Sequence, residues 1–137
     1  MTQQPTEHAE QVAFVQHLKR ILKYDKFYAI PNGVNLSDSK QRFAEIEKLK
    51  AEGLCAGIPD LCFYEMFLYI EMKRRDGGVT SKEQKKRIND LKEAGYIVEV
   101  CNGVQEAVKV FYERREYKGT IVWQKIERKL EWYNMQK

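Results

Sequence analysis

Hydrophobic residues recur at helical spacing in several stretches of the chain. The first stretch, residues 6–24, has Thr6 as a candidate N-cap and is predicted to be a helix. Its apolar side consists of Phe14, Leu18, Ile21 and Leu22. A second helix is predicted over residues 39–52, ending at Gly53. Its inward side is expected to hold Phe43, Ile46 and Leu49.

Two later helices are predicted over residues 81–95 and 105–115. The first of them opens with Ser81 and Gln84 at the spacing of a capping box, in which each side chain bonds to the backbone of the other residue. It is expected to end at Gly95, a residue type that commonly follows the last turn of a helix.

Runs rich in aromatic and β-branched residues predict the strands. Residues 60–64 and 67–73 are separated by very few residues and are expected to form an antiparallel hairpin. A further strand is predicted over residues 96–101, and a short extended stretch at 26–30 is stopped by the turn signal at 31–33. Together with the helices, this order predicts an α/β fold in which helices flank a central mixed β-sheet.

Length and composition favour one domain over residues 1–137. Cys55, Cys62 and Cys101 form no CxxC pair, which argues for reduced thiols and against a structural zinc site. There is no basic segment followed by an apolar stretch at the N-terminus, and no apolar run approaches the roughly 18 residues of a membrane span. We therefore expect a cytoplasmic protein without a membrane partner; a nucleotide cofactor is not expected either.

Positive charge is concentrated in one segment of the chain. The net charge is +4, whereas residues 73–92 alone contain eight basic and three acidic side chains. A local basic field is what a surface that binds a polyanion needs. The alternative interpretation is a solvated helix face next to a loop.

Asp60, Glu71 and Lys73 stand at positions that are unusual for a plain core. Asp60 begins a predicted strand directly after Pro59, and Glu71 and Lys73 lie two apart on the neighbouring strand. Residues two apart on a strand point to the same face, so a carboxylate and an amine share one face of the sheet. The alternative is an exposed cluster of ion pairs at a strand end.

These residue types suit metal-assisted hydrolysis of a phosphodiester. Asp60 and Glu71 can supply oxygen ligands to a hard divalent cation, and the backbone carbonyl of Met72 is a candidate third ligand. Such a cation would polarise the phosphoryl oxygen and lower the pKa of a bound water. Lys73 could act on that water or neutralise charge on the phosphate, and the sequence leaves both roles open.

Six short motifs follow one another along the chain: Glu7-x-x-Glu10-Gln11, Ile30-Pro31-Asn32-Gly33, Ala56-Gly57-Ile58-Pro59-Asp60, Ile70-Glu71-Met72-Lys73, Ser81-x-x-Gln84 and Leu91-x-x-x-Gly95. Together they resemble the PD-(D/E)XK nuclease superfamily and, more closely, its virus-type replication-repair nuclease (VRR-NUC) domain. The resemblance covers residues 7–112, with 113–137 as a C-terminal extension. The resemblance implies a restriction-endonuclease-like core of the kind found as stand-alone domains in phages and bacteria. A tyrosine common in the wider superfamily is replaced by Ile88.

The resemblance also implies roles for individual residues. Asp60 and Glu71 would be metal ligands and Lys73 the catalytic lysine. A glutamate of the first helix would complete the metal site, and we expect Glu10 in that role, with Glu7 in reserve. For either glutamate the alternative is an acid favoured by the helix dipole. Gln84 would orient substrate or water, which is hard to reconcile with its capping role.

Other polar residues near these motifs are candidate DNA contacts. The set comprises Asn32, Arg74, Arg75, Ser81, Lys82 and Lys85. For Asn32 the alternative is turn chemistry, and for the basic residues it is a solvated surface.

The resemblance implies a DNA endonuclease that uses Mg²⁺, with Mn²⁺ able to substitute. We expect it to cut branched DNA such as four-way junctions, in replication, repair or recombination, and to act as a homodimer because one chain carries one site. The tail from residue 118 could be a strand leading into a helix, a dimer contact or a cover for the sheet. The alternatives are a nuclease that nicks or trims simple duplex or single strands, and a non-catalytic DNA-binding module; RNA is not excluded.

Overall fold

The computed structural model describes residues 3–31 and 39–116, together with Met135. Its elements are helix α1 (Glu7–Gln16) followed by a π-helical turn (His17–Ile21), strand β1 (Tyr28–Ala29), helix α2 (Ser39–Ala51), strands β2 (Leu61–Phe63) and β3 (Leu68–Lys73), helix α3 (Lys82–Glu93), strand β4 (Ile97–Asn102) and helix α4 (Val104–Glu116). The predicted order of helices and strands is confirmed. Asn32 and, apart from Met135, the tail from residue 118 lie outside the described residues.

The four strands form one mixed sheet in the order β1-β2-β3-β4. Strand β2 pairs antiparallel with both β1 and β3, whereas β3 and β4 run parallel. A parallel pair needs a crossover, and α3 provides it. The predicted α/β fold with a mixed sheet is therefore confirmed.

The core lies between one face of the sheet and helices α1 and α4. Alternate residues of β3 (Leu68, Ile70 and Met72) are fully buried on that face. They pack with residues from both helices, including Phe14 and Phe111. The intervening residues of β3, among them Glu71 and Lys73, point to the opposite face, as their spacing predicts. None of the described helices combines the length and apolar character needed to cross a bilayer.

Two residues predicted to be buried are exposed. Ile21 and Phe43 are each 68% exposed. Ile21 ends the π-helical turn, whose extra residue per turn rotates the following side chains away from the α-helical register. In α2, the side that faces the 54–58 loop is formed by Arg42, Ile46 and Lys50. Phe43 is one position further and points about 100° away from Arg42.

Gly57 brings the loop before β2 against the first turn of α3. Its φ is +83°, and a Cβ atom there would lie 2.5 Å from the backbone carbon and oxygen of Glu83 and 2.8 Å from the backbone nitrogen of Gln84. Only glycine permits both this backbone conformation and this close approach. The position of α3 beside the sheet therefore depends on Gly57.

Gly57→Ala is expected to destabilise the protein far more than Gly53→Ala. Both glycines have positive φ, which costs a side chain about 1–2 kcal/mol. A Cβ at Gly53 meets nothing within 4 Å, whereas one at Gly57 overlaps backbone atoms, which adds about 1–3 kcal/mol. Urea denaturation of both variants measures the difference, and equal losses would contradict the proposed contact.

Candidate active site

The polar residues of the site meet where four elements begin or end. Strand β3 ends at Lys73, and β2 begins just after Asp60. Helices α1 and α3 both start here, capped by Thr6 and Ser81. Two helix N-termini place partial positive charge at one point, which favours an anionic ligand such as a phosphate.

Three carboxylates converge at this point. Glu7, Asp60 and Glu71 each offer an oxygen atom, and these atoms all lie within 4.8 Å of one another. The first turn of α1 supplies Glu7, because the Ala9 N–H donates to Thr6 Oγ1 at 3.1 Å and starts the helix there. Asp60 is oriented by the backbone of β3, since the Met72 N–H donates to its Oδ2 at 2.7 Å.

Glu71 is the most deeply buried of the three acids, with 1% of its surface exposed. Its Oε1 accepts a hydrogen bond from Gln84 Nε2 at 2.5 Å and lies 3.3 Å from Lys73 Nζ. Within the described part of the chain, its Oε2 has no hydrogen-bond partner although it is buried. Burial and the charge of Asp60 raise the pKa of Glu71 to about 7, against the opposing effect of Lys73.

Glu7 is also affected by its surroundings. Burial raises the pKa of Glu7, the charge of Lys73 lowers it, and the charge of Asp60 raises it further. Both pKa shifts have the same origin, which is the removal of acids from water next to other acids. The three carboxylates therefore repel one another, and a further positive charge between them would relieve that repulsion.

Lys73 is the one basic side chain placed within this described group. Its Nζ donates to the Val79 carbonyl at 3.2 Å and to Gln84 Oε1 at 3.1 Å, and it forms an ion pair with Glu71. An ammonium group has three N–H donors, and each has an acceptor here. Gly78 packs against the stem of the lysine, since a Cβ there would lie 3.1 Å from Lys73 Cδ. The 74–80 loop thus holds the ammonium beside the acids.

Gln84 caps α3 and contacts the site at the same time. Its backbone N–H donates to Ser81 Oγ at 3.1 Å, and its Oε1 accepts from the Ser81 N–H at 2.9 Å. The same Oε1 also accepts from Lys73, while Nε2 donates to Glu71. The predicted capping box is confirmed. The expectation that capping and a place in the site would conflict is wrong, because an amide oxygen can accept two hydrogen bonds.

The residues present fit a divalent cation. Three clustered carboxylates outnumber the single ammonium group, and hard cations such as Mg²⁺ and Mn²⁺ prefer oxygen ligands. The unpartnered Oε2 of Glu71 is a free buried ligand atom among the described residues. The N–H and C=O of one strand residue point to the same side, so the Met72 carbonyl also faces the side where Asp60 lies.

The expectation that Glu10 rather than Glu7 stands beside Asp60 and Glu71 is corrected. Glu10 Oε1 accepts from Arg75 Nε at 2.5 Å, and its Oε2 accepts from the Val104 N–H at 2.8 Å. Both oxygens are therefore committed to the loop after β3 and to the start of α4. Glu7 lies about one turn earlier, at the first residue of α1, and from there its side chain reaches the acids of the sheet.

The comparison with known families agrees with this geometry. The model of the VRR-NUC domain matches residues 6–105, which include every residue of the acidic cluster. The chain belongs to the VRR-NUC family. It therefore carries a nuclease-type domain. One similar solved structure, described as a VRR_NUC domain protein, has a TM-score of 0.67 and 24% sequence identity over 83% of this chain and 91% of that chain. At that identity it supports the fold alone. No curated protein matches the chain.

The candidate DNA contacts of this VRR-NUC domain surround the cluster unevenly. Arg74 and Arg75 are exposed but pair with Asp76 and Glu10, respectively. Lys82 and Lys85 lie exposed on the first turns of α3. Ser81 acts as the N-cap of α3, and Asn32 lies outside the described residues.

Sequence reasoning missed the contributions of Gly78 and Val79 to the site of this VRR-NUC domain. They act through the backbone, one by its lack of a side chain and the other by its carbonyl oxygen. No side-chain pattern signals such roles. The choice between Glu7 and Glu10 had no usable signal in the sequence, because both acids lie in the first turn of α1.

Glu10→Gln is expected to lower the free energy of unfolding by about 2 kcal/mol at neutral pH, because buried hydrogen bonds to a charged group are lost. The hydrogen bond from Arg75 holds the pKa of Glu10 below its ordinary value of 4.5. Because the pKa of Glu10 is lower in the folded protein than in the unfolded chain, the ionised carboxylate stabilises the fold at any pH above the unfolded-state pKa. That contribution is lost as the pH falls towards and through the folded-state pKa.

Urea denaturation at several pH values tests this prediction, with the exposed Glu52→Gln as the control. The difference between wild type and Glu10→Gln should shrink below about pH 4, where the unfolded glutamate takes up its proton. A difference that stays constant down to pH 3 would refute the electrostatic origin.

Proposed function

We propose that this VRR-NUC domain is a divalent-metal-dependent DNA endonuclease whose catalytic centre consists of Glu7, Asp60, Glu71 and Lys73. The observation that carries the proposal is the cluster of three carboxylates, two half-buried and one fully buried, with one oxygen of the buried Glu71 unpartnered among the described residues. A role in stability alone gives no reason to gather three acids, one of them buried, around one ammonium group. A cation and a phosphate give that reason.

Glu7, Asp60, Glu71 and the Met72 carbonyl are the proposed ligands of Mg²⁺, with Mn²⁺ able to replace it. When bound, the cation supplies a Lewis acid for the phosphoryl oxygen and increases the acidity of water. Asp60 is held in place by the Met72 N–H, and Glu71 by Gln84. These bonds fix the carboxylates in advance, so little reorganisation is needed when the site fills.

Lys73 is proposed to act as a fixed positive charge rather than as a base. Its ammonium group has three acceptors in place, and a protonated amine cannot take a proton. Directed at the phosphate, it would neutralise charge that develops on the phosphoryl oxygens in the transition state. Gln84 acts as a positioning residue, since it bonds to Lys73 and Glu71 together.

The DNA backbone is proposed to approach across the first turns of α1 and α3. The N–H groups at helix starts favour phosphates, and Lys82 and Lys85 are exposed along that approach. Arg74, Arg75 and Ser81 border the same region, and Asn32 is kept as a proposed contact from the sequence. Contacts of this kind position the strand but do not read its sequence.

The proposed substrate class is branched DNA such as a four-way junction. A homodimer would cut it in replication, repair or recombination. Support comes from family resemblance and from the single acidic cluster in the described part of one chain, since paired cuts need two sites. The whole chain is proposed to act as one domain, with residues 113–137 as an extension that contributes to the dimer.

Cleavage assays with labelled four-way junction, flap, duplex and single-stranded DNA test this proposal. Asp60→Asn and Lys73→Ala are compared with the wild type in Mg²⁺, in Mn²⁺ and in chelator. Cutting should require metal, and each variant should lose about 10²–10³-fold or more in rate, because a preorganised charge is removed from the transition state. DNA binding should stay within a few-fold for Lys73→Ala, as measured by fluorescence anisotropy.

The controls separate the remaining outcomes. Circular dichroism must show that both variants fold, and Lys109→Ala serves as a matched lysine, exposed and remote on α4. Preferred cutting of simple duplex or single strands would favour a nicking or trimming enzyme. DNA binding that is indifferent to chelator, with no cutting of any substrate, would overturn the proposal and favour a binding module.

A further inference from the structure

The sheet face that carries Glu71 and Lys73 continues into a group of aromatic side chains. We call this group the aromatic platform, and it consists of Tyr28, Tyr64, Phe67, Tyr69 and Tyr96. The rings of Tyr28 and Tyr64 stack with centroids 6.4 Å apart, and Tyr96 contacts both Phe67 at 6.2 Å and Tyr69 at 5.4 Å. Tyr28 and Tyr69 both lie against the side chain of Cys62 between them.

The platform is open although it is apolar. Tyr28 and Tyr64 are 51% and 53% exposed, and Phe67 and Tyr96 are 39% and 37% exposed. Phe67 also has a positive φ of +52°, which is unfavourable for a bulky side chain and occurs here at the last residue of the turn between β2 and β3. The fold therefore holds an exposed aromatic ring in a strained conformation at the hairpin between β2 and β3.

The platform lies within reach of the same strand of nucleic acid as the acidic cluster. Tyr69 and Glu71 are two residues apart on one face of β3, about 7 Å, and Phe67 is about 13 Å from Glu71 at the rise of a strand. Those distances span roughly two to four stacked nucleotides at 3.4 Å each. The carboxylate nearest in the hairpin, Glu65, is ion-paired with Lys26 at 2.9 Å, which limits its repulsion of phosphates.

We propose that the aromatic platform stacks the bases of an unpaired DNA segment next to the scissile phosphate. Aromatic rings bind bases of any sequence through their π faces, and they need unpaired bases to do so. The inference rests on the proposed function and narrows its substrate from branched DNA in general to branches that carry a single-stranded segment beside the cut, such as a flap rather than a fully paired four-way junction. Paired DNA keeps its bases within the helix and cannot use this surface.

The proposal is tested by measuring DNA binding in the presence of a chelator, where no cleavage takes place. The result therefore does not depend on whether the domain hydrolyses DNA. The probes are a short duplex with an oligothymidine tail at its 5′ or 3′ end and the same duplex with an abasic tail, measured by fluorescence anisotropy. The wild type should bind one of the thymidine tails about tenfold more tightly than its abasic counterpart.

The variants identify the rings responsible. Tyr28→Ala/Tyr64→Ala should abolish the preference for bases, whereas Tyr64→Trp should retain it because a ring remains. Tyr112→Ala is the matched control, since Tyr112 is 43% exposed on α4 on the other side of the sheet. Circular dichroism confirms that each variant folds.

Two results would overturn the proposal. One is equal affinity for the thymidine and abasic tails in the wild type. The other is a Tyr28→Ala/Tyr64→Ala variant that still prefers the thymidine tail. Sedimentation of the same variant shows whether two copies of the chain still associate. Loss of association with the preference intact would assign the platform to a second copy of the chain instead.

Discussion

The site depends on the repulsion between three carboxylates that are held close together, two of them half-buried and Glu71 fully buried. Glu7, Asp60 and Glu71 place oxygen atoms within 4.8 Å of one another, and among the described residues the ammonium group of Lys73 is the one positive charge set against them. Burial, and after it the charge of Asp60, raises the pKa of Glu71 to about 7. Such an arrangement is stable only because the rest of the fold over-determines it, and it leaves a place for a divalent cation.

The fold meets this constraint by fixing the ends of four elements. The hydrogen bond from the Met72 N–H fixes Asp60, and the capping box of α3 presents Gln84 to both Glu71 and Lys73. The close approach at Gly57 holds α3 against the loop that precedes Asp60. Farther along α1, Glu10 links the helix to the loop after β3 and to the start of α4. Each anchor uses backbone geometry, so the acids need not hold themselves together.

Much of this could be predicted from the sequence where local pattern decides structure. The alternation along β3 places Glu71 and Lys73 on one face, and the Ser81–Gln84 spacing predicts the cap; the fold confirms both features. The exposure of Ile21 and Phe43 could not be predicted. The π-helical turn that rotates Ile21 outward, and the choice of which side of α2 contacts the rest of the protein, both depend on tertiary packing. Glu7 and Glu10 have the same local context, and only the positions of Arg75 and the start of α4 separate their roles. The contribution of Val79 lies in its carbonyl, which no side-chain pattern shows.

The most direct test of the account is the effect of Mg²⁺ or Mn²⁺ on the free energy of unfolding, without DNA. Wild type and Glu10→Gln should both gain about 2.7 kcal/mol when the metal is present at 100 times its Kd. Glu7→Gln should be more stable than the wild type in chelator, because one repelling charge is gone, and should gain much less from metal. A Glu7→Gln variant that gains as much from metal as the wild type would contradict the assignment of the acidic cluster as the metal site.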